Sequence, residues 1–448
     1  MSEDSGLLDS IRDQLTKHAL PYYSFAINRW NRFQQSSRGD IPKLHLNGRD
    51  VVIVVIDCLR ADRLSRTGYH RQTTPFLDTI DMHRTAVSAA PWTYAAVPSI
   101  LSGLFPHNHG AGYVGDYRDR GSDDGEMTSL LDETILLPEL FDAAGYETYF
   151  STAIATAELS VRGHLPHCKI AHETPADELV SEFLEWWEQT EGPRFSYLHL
   201  GDLHEPLTVP NEKPFGDIPD VDGLRRWRYQ QANFGPGFNQ YREARKKLYD
   251  TALYFVDQQL NRLMSHLPDD ALVVITSDHG EEMWDRVELS EQYFAGKRGI
   301  YGVGHGHALI PEVLDVPLFM DGVKAADGVV STVDIAPNIL SESGVEDPSS
   351  LQFDGQQFSE IMEERVAHAG EIGHGLDQQA VVTDRWMLTR VSESDDYILI
   401  DRECGEVTEN KGVVESLNKH FPNRGHSGPQ QEIDKETQDR LSDLGYIS

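Results

Sequence analysis

The 448-residue sequence predicts an α/β protein, with a wound central sheet flanked by helices and a small antiparallel subdomain at the C-terminus. Two β-branched apolar runs, Val51–Ile56 and Leu272–Thr276, show no polar alternation, the pattern of parallel strands buried on both faces. Strand and helix signals alternate from about residue 50 to 345, the rhythm of βαβ units. From about residue 365 the texture changes to short β-like runs at 380–383, 386–390 and 397–400.

Taken in order, residues 1–48 read as an N-terminal helical extension. Leu7, Leu8, Ile11 and Leu15 recur at helical spacing and suit packing against the main body. Residues 49–360 form the expected catalytic α/β domain. Within it, 133–144 reads as a helix closed by Gly145, followed by a strand at 146–150. A further strand at 195–200 runs into Gly201-Asp202-Leu203-His204. The stretch 205–240 is rich in Pro, Gly and polar residues and is too long for a simple connection, a pattern often tied to function. A long amphipathic helix spans 242–267, with Leu248, Leu253, Phe255, Val256, Leu260 and Leu263 as its apolar positions. Residues 361–448 form the small C-terminal α+β subdomain, in which 409–436 are polar and partly mobile by expectation.

Acidic residues number 73 against 39 basic ones, a formal charge of −34. Such a surface repels nucleic acid and anionic membranes, which excludes both as non-specific partners. The acid is dispersed along the chain, as suits a halophilic protein whose charges are screened by concentrated salt. Three distant cysteines imply no disulfide framework. The sequence shows neither a signal peptide nor an apolar run long enough to span a membrane, so a cytoplasmic location is expected. Oligomeric state is not legible.

Chemistry in open α/β sheets sits beyond the carboxyl ends of strands, and Asp57, Asp278 and His279 fall at such ends. Two carboxylates and an imidazole brought together there want a divalent metal. The segments around them carry a resemblance. Asp57-Cys58-Leu59-Arg60-Ala61-Asp62-Arg63-Leu64, Gly68-Tyr69 and Thr73-Thr74-Pro75-Phe76-Leu77-Asp78 resemble the opening of the sulfatase family of the alkaline phosphatase superfamily. Pro91-Trp92-Thr93, Leu101-Ser102-Gly103-Leu104-Phe105-Pro106, Ser277-Asp278-His279-Gly280-Glu281 and Gly304-His305-Gly306 are similar to its later segments, in the same order.

The resemblance implies an alkaline-phosphatase-like fold and a divalent cation on Asp57, Asp278 and His279. Manganese or zinc is favoured by the histidine, with calcium possible. Some relatives carry a second acid where Cys58 stands; that cysteine reads as buried and inert or as a thiolate ligand. The family's formylglycine motif aligns at Thr93-Tyr94-Ala95-Ala96-Val97, where Pro and Arg are missing and threonine cannot yield the aldehyde. Thr93 instead resembles the metal-bound threonine nucleophile of superfamily members acting on phosphate esters. Capping of the following helix is a compatible role. His204 matches a family position beside the substrate, and His305 sits in the Gly-His-Gly segment; both could hold ester oxygens or protonate a leaving group. One metal is expected, although Asp202, His204 and His305 could hold a second. His307 is expected at the surface, as are Arg225, Arg226 and Arg228, which could instead meet an anionic substrate. The implied function is a sulfatase-like, metal-dependent hydrolase of sulfate or phosphate esters, with a small-molecule or glycan ester as substrate. The alternatives are a phospho-group transferase acting on a glycan or other alcohol, and a non-catalytic binding protein on the same fold.

Overall fold

The structure, a computed structural model, describes residues 41–114, 126–166, 168–230, 234–296, 299–392, 394, 396–423 and 428–430. The helical stripe of Leu7, Leu8, Ile11 and Leu15 and the segment 431–436 lie outside these residues.

The central sheet has eight strands: β1 (Val51–Ile56), β2 (His83–Val87), β3 (Glu147–Thr152), β4 (Cys168–Ile170), β5 (Arg194–Leu200), β6 (Leu272–Thr276), β7 (Asp315–Phe319) and β8 (Val330–Ser331). Their spatial order is β8-β2-β7-β6-β1-β5-β3-β4. The run β6-β1-β5-β3-β4 is parallel. The antiparallel strand β7 sits between β6 and β2 and makes the sheet mixed.

Every side chain of β1 is fully buried, because both faces of the sheet are covered. Val51, Ile53 and Val55 pack on one face with helix α1 (Thr93–Ser102). Val52, Val54 and Ile56 pack on the other with α2 (Ala176–Gln189) and α3 (Phe238–Met264). Each such side chain contributes about 1.5–3 kcal/mol on leaving water. Helix α3 begins four residues before the expected 242, because Phe238 and Tyr241 are themselves buried, and it stops ahead of Pro268. The helix expected at 133–144 forms as Leu137–Ala143. It starts late because Pro138 suits a first turn, and Glu139 Oε2 accepts the Leu136 amide at 2.9 Å.

The C-terminal runs form a five-stranded antiparallel sheet: β9 (Ala367–Ala369), β10 (Gln378–Val382), β11 (Trp386–Val391), β12 (Asp396–Asp401) and β13 (Glu406–Val407), in sequence order. One face of it shares a core with the central unit, where Ala380, Met387 and Ile400 meet Val87, Leu309 and Leu314. Part of the polar stretch after 409 is folded rather than mobile. Lys411–Leu417 is a helix capped by the Asn410 side chain, and its Leu417 is buried against the sheet.

Candidate metal centre and active site

Strands β6, β1 and β5 are neighbours, and their carboxyl ends bring the site together. Residues alternate across a sheet, so parity decides what meets. Val51, Ile53 and Val55 face α1, and Asp57 follows at the same parity. Leu272 and Val274 face α1, with Asp278 at their parity, and Phe195 and Tyr197 do the same for His199. Helix α1 presents Thr93 to this cluster as its first residue.

The N-cap of α1 is Trp92, and no side chain caps the helix. The Thr93 hydroxyl therefore does no capping. Its Oγ1 lies 3.2 Å from Asp57 Oδ2 and 3.2 Å from His279 Nε2. Asp278 Oδ2 is 3.4 Å from His279 Nε2. All four residues are fully buried. Asp278 Oδ2 has no hydrogen-bond donor, a costly state for a buried carboxylate that a cation would relieve.

Outer contacts fix each donor. The Cys58 thiol donates to Asp57 Oδ1 at 2.9 Å, and the His279 amide donates to Asp278 Oδ1 at 2.9 Å. His279 Nδ1 donates to Gly280 O at 2.9 Å, which leaves Nε2 with its lone pair toward Thr93. A Cβ on Gly280 would fall 2.3 Å from Glu312 O, so only glycine lets this loop lie flat. Cys58 is buried and takes a left-handed φ of 61°, with Tyr249 of α3 donating to its carbonyl at 2.7 Å.

Burial opposes ionisation of Asp57. The nearby His204, the His199 hydrogen bond and His279 outweigh burial and hold the carboxyl well below the usual carboxylate range. Burial likewise opposes a proton on His279, but Asp278 and Asp57 raise it. The Asp57 carboxylate thus stays ionised in this site and attracts positive charge.

His305 and His204 stand beside this cluster. The His305 ring centroid is 4.3 Å from that of His279 and 5.3 Å from that of His204. His305 Nδ1 lies 3.0 Å from Glu281 Oε1 and 3.6 Å from Cys58 Sγ. Burial, then the charges of His279 and His204, press His305 well below the usual imidazole range. Burial pushes Glu281 up to about 7. Asp202 does not join His204 and His305: its Oδ1 accepts the Ala176 amide at the start of α2 at 3.3 Å, and burial pushes it up to about 7. The expected surface position of His307 is a correction. His307 is fully buried, 3.0 Å from Glu282 Oε2, because it lies where the C-terminal sheet seals this edge. Arg225, Arg226 and Arg228 are exposed, and of the three Arg225 lines the cleft containing His204, together with Glu173, Glu205 and Thr208.

Sequence reasoning missed His199. Its Nε2 is 3.2 Å from Asp57 Oδ2 and 3.6 Å from Asp278 Oδ2. A histidine at the parity of Phe195 and Tyr197, near the carboxyl end of a buried strand, was the available signal. The C-terminal unit also reaches the site: Glu371 O accepts the Trp92 indole N–H at 2.7 Å, directly before Thr93.

A mixed sheet between helical layers, with carboxylates and imidazoles at the carboxyl ends of its middle strands, defines an alkaline-phosphatase-like protein. Residues 49–345 match the Sulfatase family model, and the chain belongs to that family. The low-salt glycan biosynthesis sulfotransferase Agl7 of Haloferax volcanii is 27% identical over 267 residues, 58% of this chain and 54% of that one. The chain thus spans about half the length of that curated relative. The solved structure of BT4656 in complex with its substrate D-glucosamine-2-N,6-O-disulfate superposes with a TM-score of 0.56 at 15% identity, covering 89% of this chain and 98% of that one. A protein of the alkaline phosphatase superfamily from Vibrio parahaemolyticus gives 0.51 at 13% identity, covering 88% and 93%. These two likenesses establish the fold. Among the described residues no helix is long and apolar enough to cross a membrane.

Proposed function

We propose that this chain is a metal-dependent enzyme that cleaves a sulfate or phosphate ester through a covalent adduct on Thr93. The observation that carries the reading is the buried Thr93 hydroxyl, held 3.2 Å from both Asp57 Oδ2 and His279 Nε2 and not used as a helix cap. Asp57, Asp278 and His279 would hold the divalent ion, and the unpartnered Asp278 Oδ2 supports their fit. That ion would supply positive charge to the threonine oxygen and to the oxygens of the ester. Thr93 Oγ gives up its proton toward Asp57 Oδ2, 3.2 Å away, and forms the new bond to sulfur or phosphorus as the bond to the departing alcohol breaks. His204, beside the cluster, delivers the proton that the alcohol takes away, and His305, whose surroundings keep it neutral, holds an oxygen of the ester by a hydrogen bond. The start of α1 favours the negative charge that gathers there.

Water resolving the adduct makes the enzyme a hydrolase; a second alcohol makes it a transferase. The relative named a glycan-biosynthesis sulfotransferase supports the transfer reading, with a glycan hydroxyl as acceptor. The test is mass spectrometry on protein quenched during turnover of aryl sulfate and phosphoester substrates. A sulfate or phosphate adduct is expected on the peptide containing Pro91-Trp92-Thr93. Thr93→Ala should lose activity by several orders of magnitude and keep its fold, while Thr93→Ser keeps part of the activity. Wild-type turnover by Thr93→Ala would overturn the covalent step.

A further inference from the structure

We propose that His199 is a direct ligand of the metal, closing a ring of five donors, and that two imidazoles in that ring select zinc or manganese against calcium. The proposal rests on the metal-dependent reading above and adds a residue that the family's motifs do not supply. Around the ring, Asp57 Oδ2 to Thr93 Oγ1 is 3.2 Å and Thr93 Oγ1 to His279 Nε2 is 3.2 Å. His279 Nε2 to Asp278 Oδ2 is 3.4 Å, Asp278 Oδ2 to His199 Nε2 is 3.6 Å, and His199 Nε2 to Asp57 Oδ2 is 3.2 Å. Five donors each about 2.1 Å from one ion are separated from their neighbours by about 3.0–3.6 Å. The spacings around this ring fall in that range, and Asp57, His199 and Asp278 are all fully buried.

A structural role for His199 accounts for less. As a simple hydrogen-bond donor it satisfies Asp57 Oδ2, which Thr93 already reaches. Asp278 Oδ2 then stays without a donor, because 3.6 Å is too long for a hydrogen bond. An ion inside the ring serves both carboxylates at once. The far side of the ring of His199 is anchored as metal-binding histidines usually are: Nδ1 lies 3.0 Å from Tyr197 Oη, two residues back on the same strand face. The strand itself aims the donor. His199 pairs in register with Val55, two residues before Asp57, on a strand that has no freedom to turn away. Calcium prefers oxygen shells, whereas two imidazoles beside two carboxylates suit zinc or manganese.

The experiment uses the full chain, stripped of metal with a chelator and reloaded. X-ray absorption of the zinc-loaded wild type should show two imidazoles, and His199→Gln and His199→Ala should each show one. Zinc affinity should fall by about 100-fold or more in these variants while calcium affinity changes little. Tyr197→Phe removes only the outer hydrogen bond; it should weaken zinc about 10-fold and keep two imidazoles. If the His199 variants do not fold, the wild-type imidazole count and the Tyr197→Phe affinity still decide. One imidazole in the wild type, or two in a folded His199 variant, overturns the proposal and leaves the metal-dependent reading standing. A wild type that binds none of zinc, manganese and calcium overturns both.

Discussion

Two carboxylate–imidazole pairs lie side by side at one short two-stranded antiparallel sheet, and they face opposite surroundings. Glu281–His305 and Glu282–His307 both span 3.0 Å, and both come from the strands Glu282–Met283 and Val303–Gly304 or the residues next to them. Glu281 and Glu282 are neighbours in sequence, and His305 and His307 flank Gly306, which takes a left-handed φ of 83°; one pair faces the Asp57 cluster and the other faces the C-terminal sheet. His305 meets His279, His204 and Cys58. Around the inner pair, Glu282 also accepts Ser290 Oγ, and the His307 carbonyl accepts Gln378 Nε2 at 2.7 Å. Identical chemistry meets a cluster of carboxylates and imidazoles in one case and a packed sheet in the other. A motif of residue types therefore cannot by itself assign a role.

The largest effects should come from removing one carboxylate and one imidazole on either side of this divide. Asp278→Asn with His279→Ala takes two donors from the metal cluster, and metal binding and activity should vanish together while the fold persists. Glu282→Gln with His307→Ala makes the same chemical change a few ångströms away. It should lower the melting temperature and leave metal content per folded molecule unchanged. Metal analysis alongside thermal melts reads both; unchanged occupancy in the first variant would defeat the ligand assignment.

Single histidine variants sharpen the contrast. His305→Ala should lower kcat by about 10²–10³-fold, the usual worth of one placed hydrogen-bond donor, with little change in stability because Glu281, pushed up to about 7, can take up a proton instead. His307→Ala should cost about 3 kcal/mol by leaving the buried Glu282 without its partner, and folded protein should keep its kcat. Denaturant melts and steady-state kinetics on the same samples check this. A kcat loss in His307→Ala equal to that in His305→Ala would erase the distinction.

This contrast also marks how far the sequence could be read. The strands β1, β5 and β6 were legible because their apolar runs admit no amphipathic alternative, and Asp57, Asp278 and His279 followed from the rule that chemistry sits at strand ends. His199 was not legible, because parity within one strand becomes informative only when its neighbours and register are known. His307 was misread for a related reason: the sheet that buries it begins sixty residues later, at Ala367, and no local pattern announces the contact. Thr93 stood out as a candidate in the sequence, but its freedom from capping duty became visible only with Trp92 in the N-cap position.

The acidic composition yields a broader expectation. With 73 acids against 39 bases, self-repulsion should dominate in dilute buffer, where the Debye length is about 30 Å at 0.01 M, and be screened to about 3 Å at 1 M. The melting temperature should rise steeply over that range of potassium chloride. Both histidine pairs are buried and should be far less sensitive, so the salt response of His305→Ala and His307→Ala should parallel that of the wild type. A flat melting temperature would sink the halophilic reading.

The last expectation, silent at neutral pH, concerns an imidazole with no carboxylate partner. His109 is fully buried and its Nδ1 accepts the Ala111 amide at 3.1 Å, while Nε2 faces Ser99 Oγ at 3.0 Å and Ala95 O at 3.2 Å. Burial depresses it to about 3, and the Ala95 carbonyl only partly offsets that. The unfolded chain takes up a proton near pH 6.5, so it binds more protons than the folded chain between about pH 6.5 and 3. The stability contributed by the neutral ring is complete above about pH 6.5 and is lost as the pH falls toward 3. One such group adds a slope of about 1.4 kcal/mol per pH unit in that window. His109→Gln removes the titrating group and should flatten the stability–pH curve by about one proton below pH 6.5, leaving its slope above pH 7 unchanged. Denaturant unfolding at a series of pH values measures this. An unchanged acid slope in the variant would mean that other histidines, the half-buried His83 and His368 among them, carry the acid response instead.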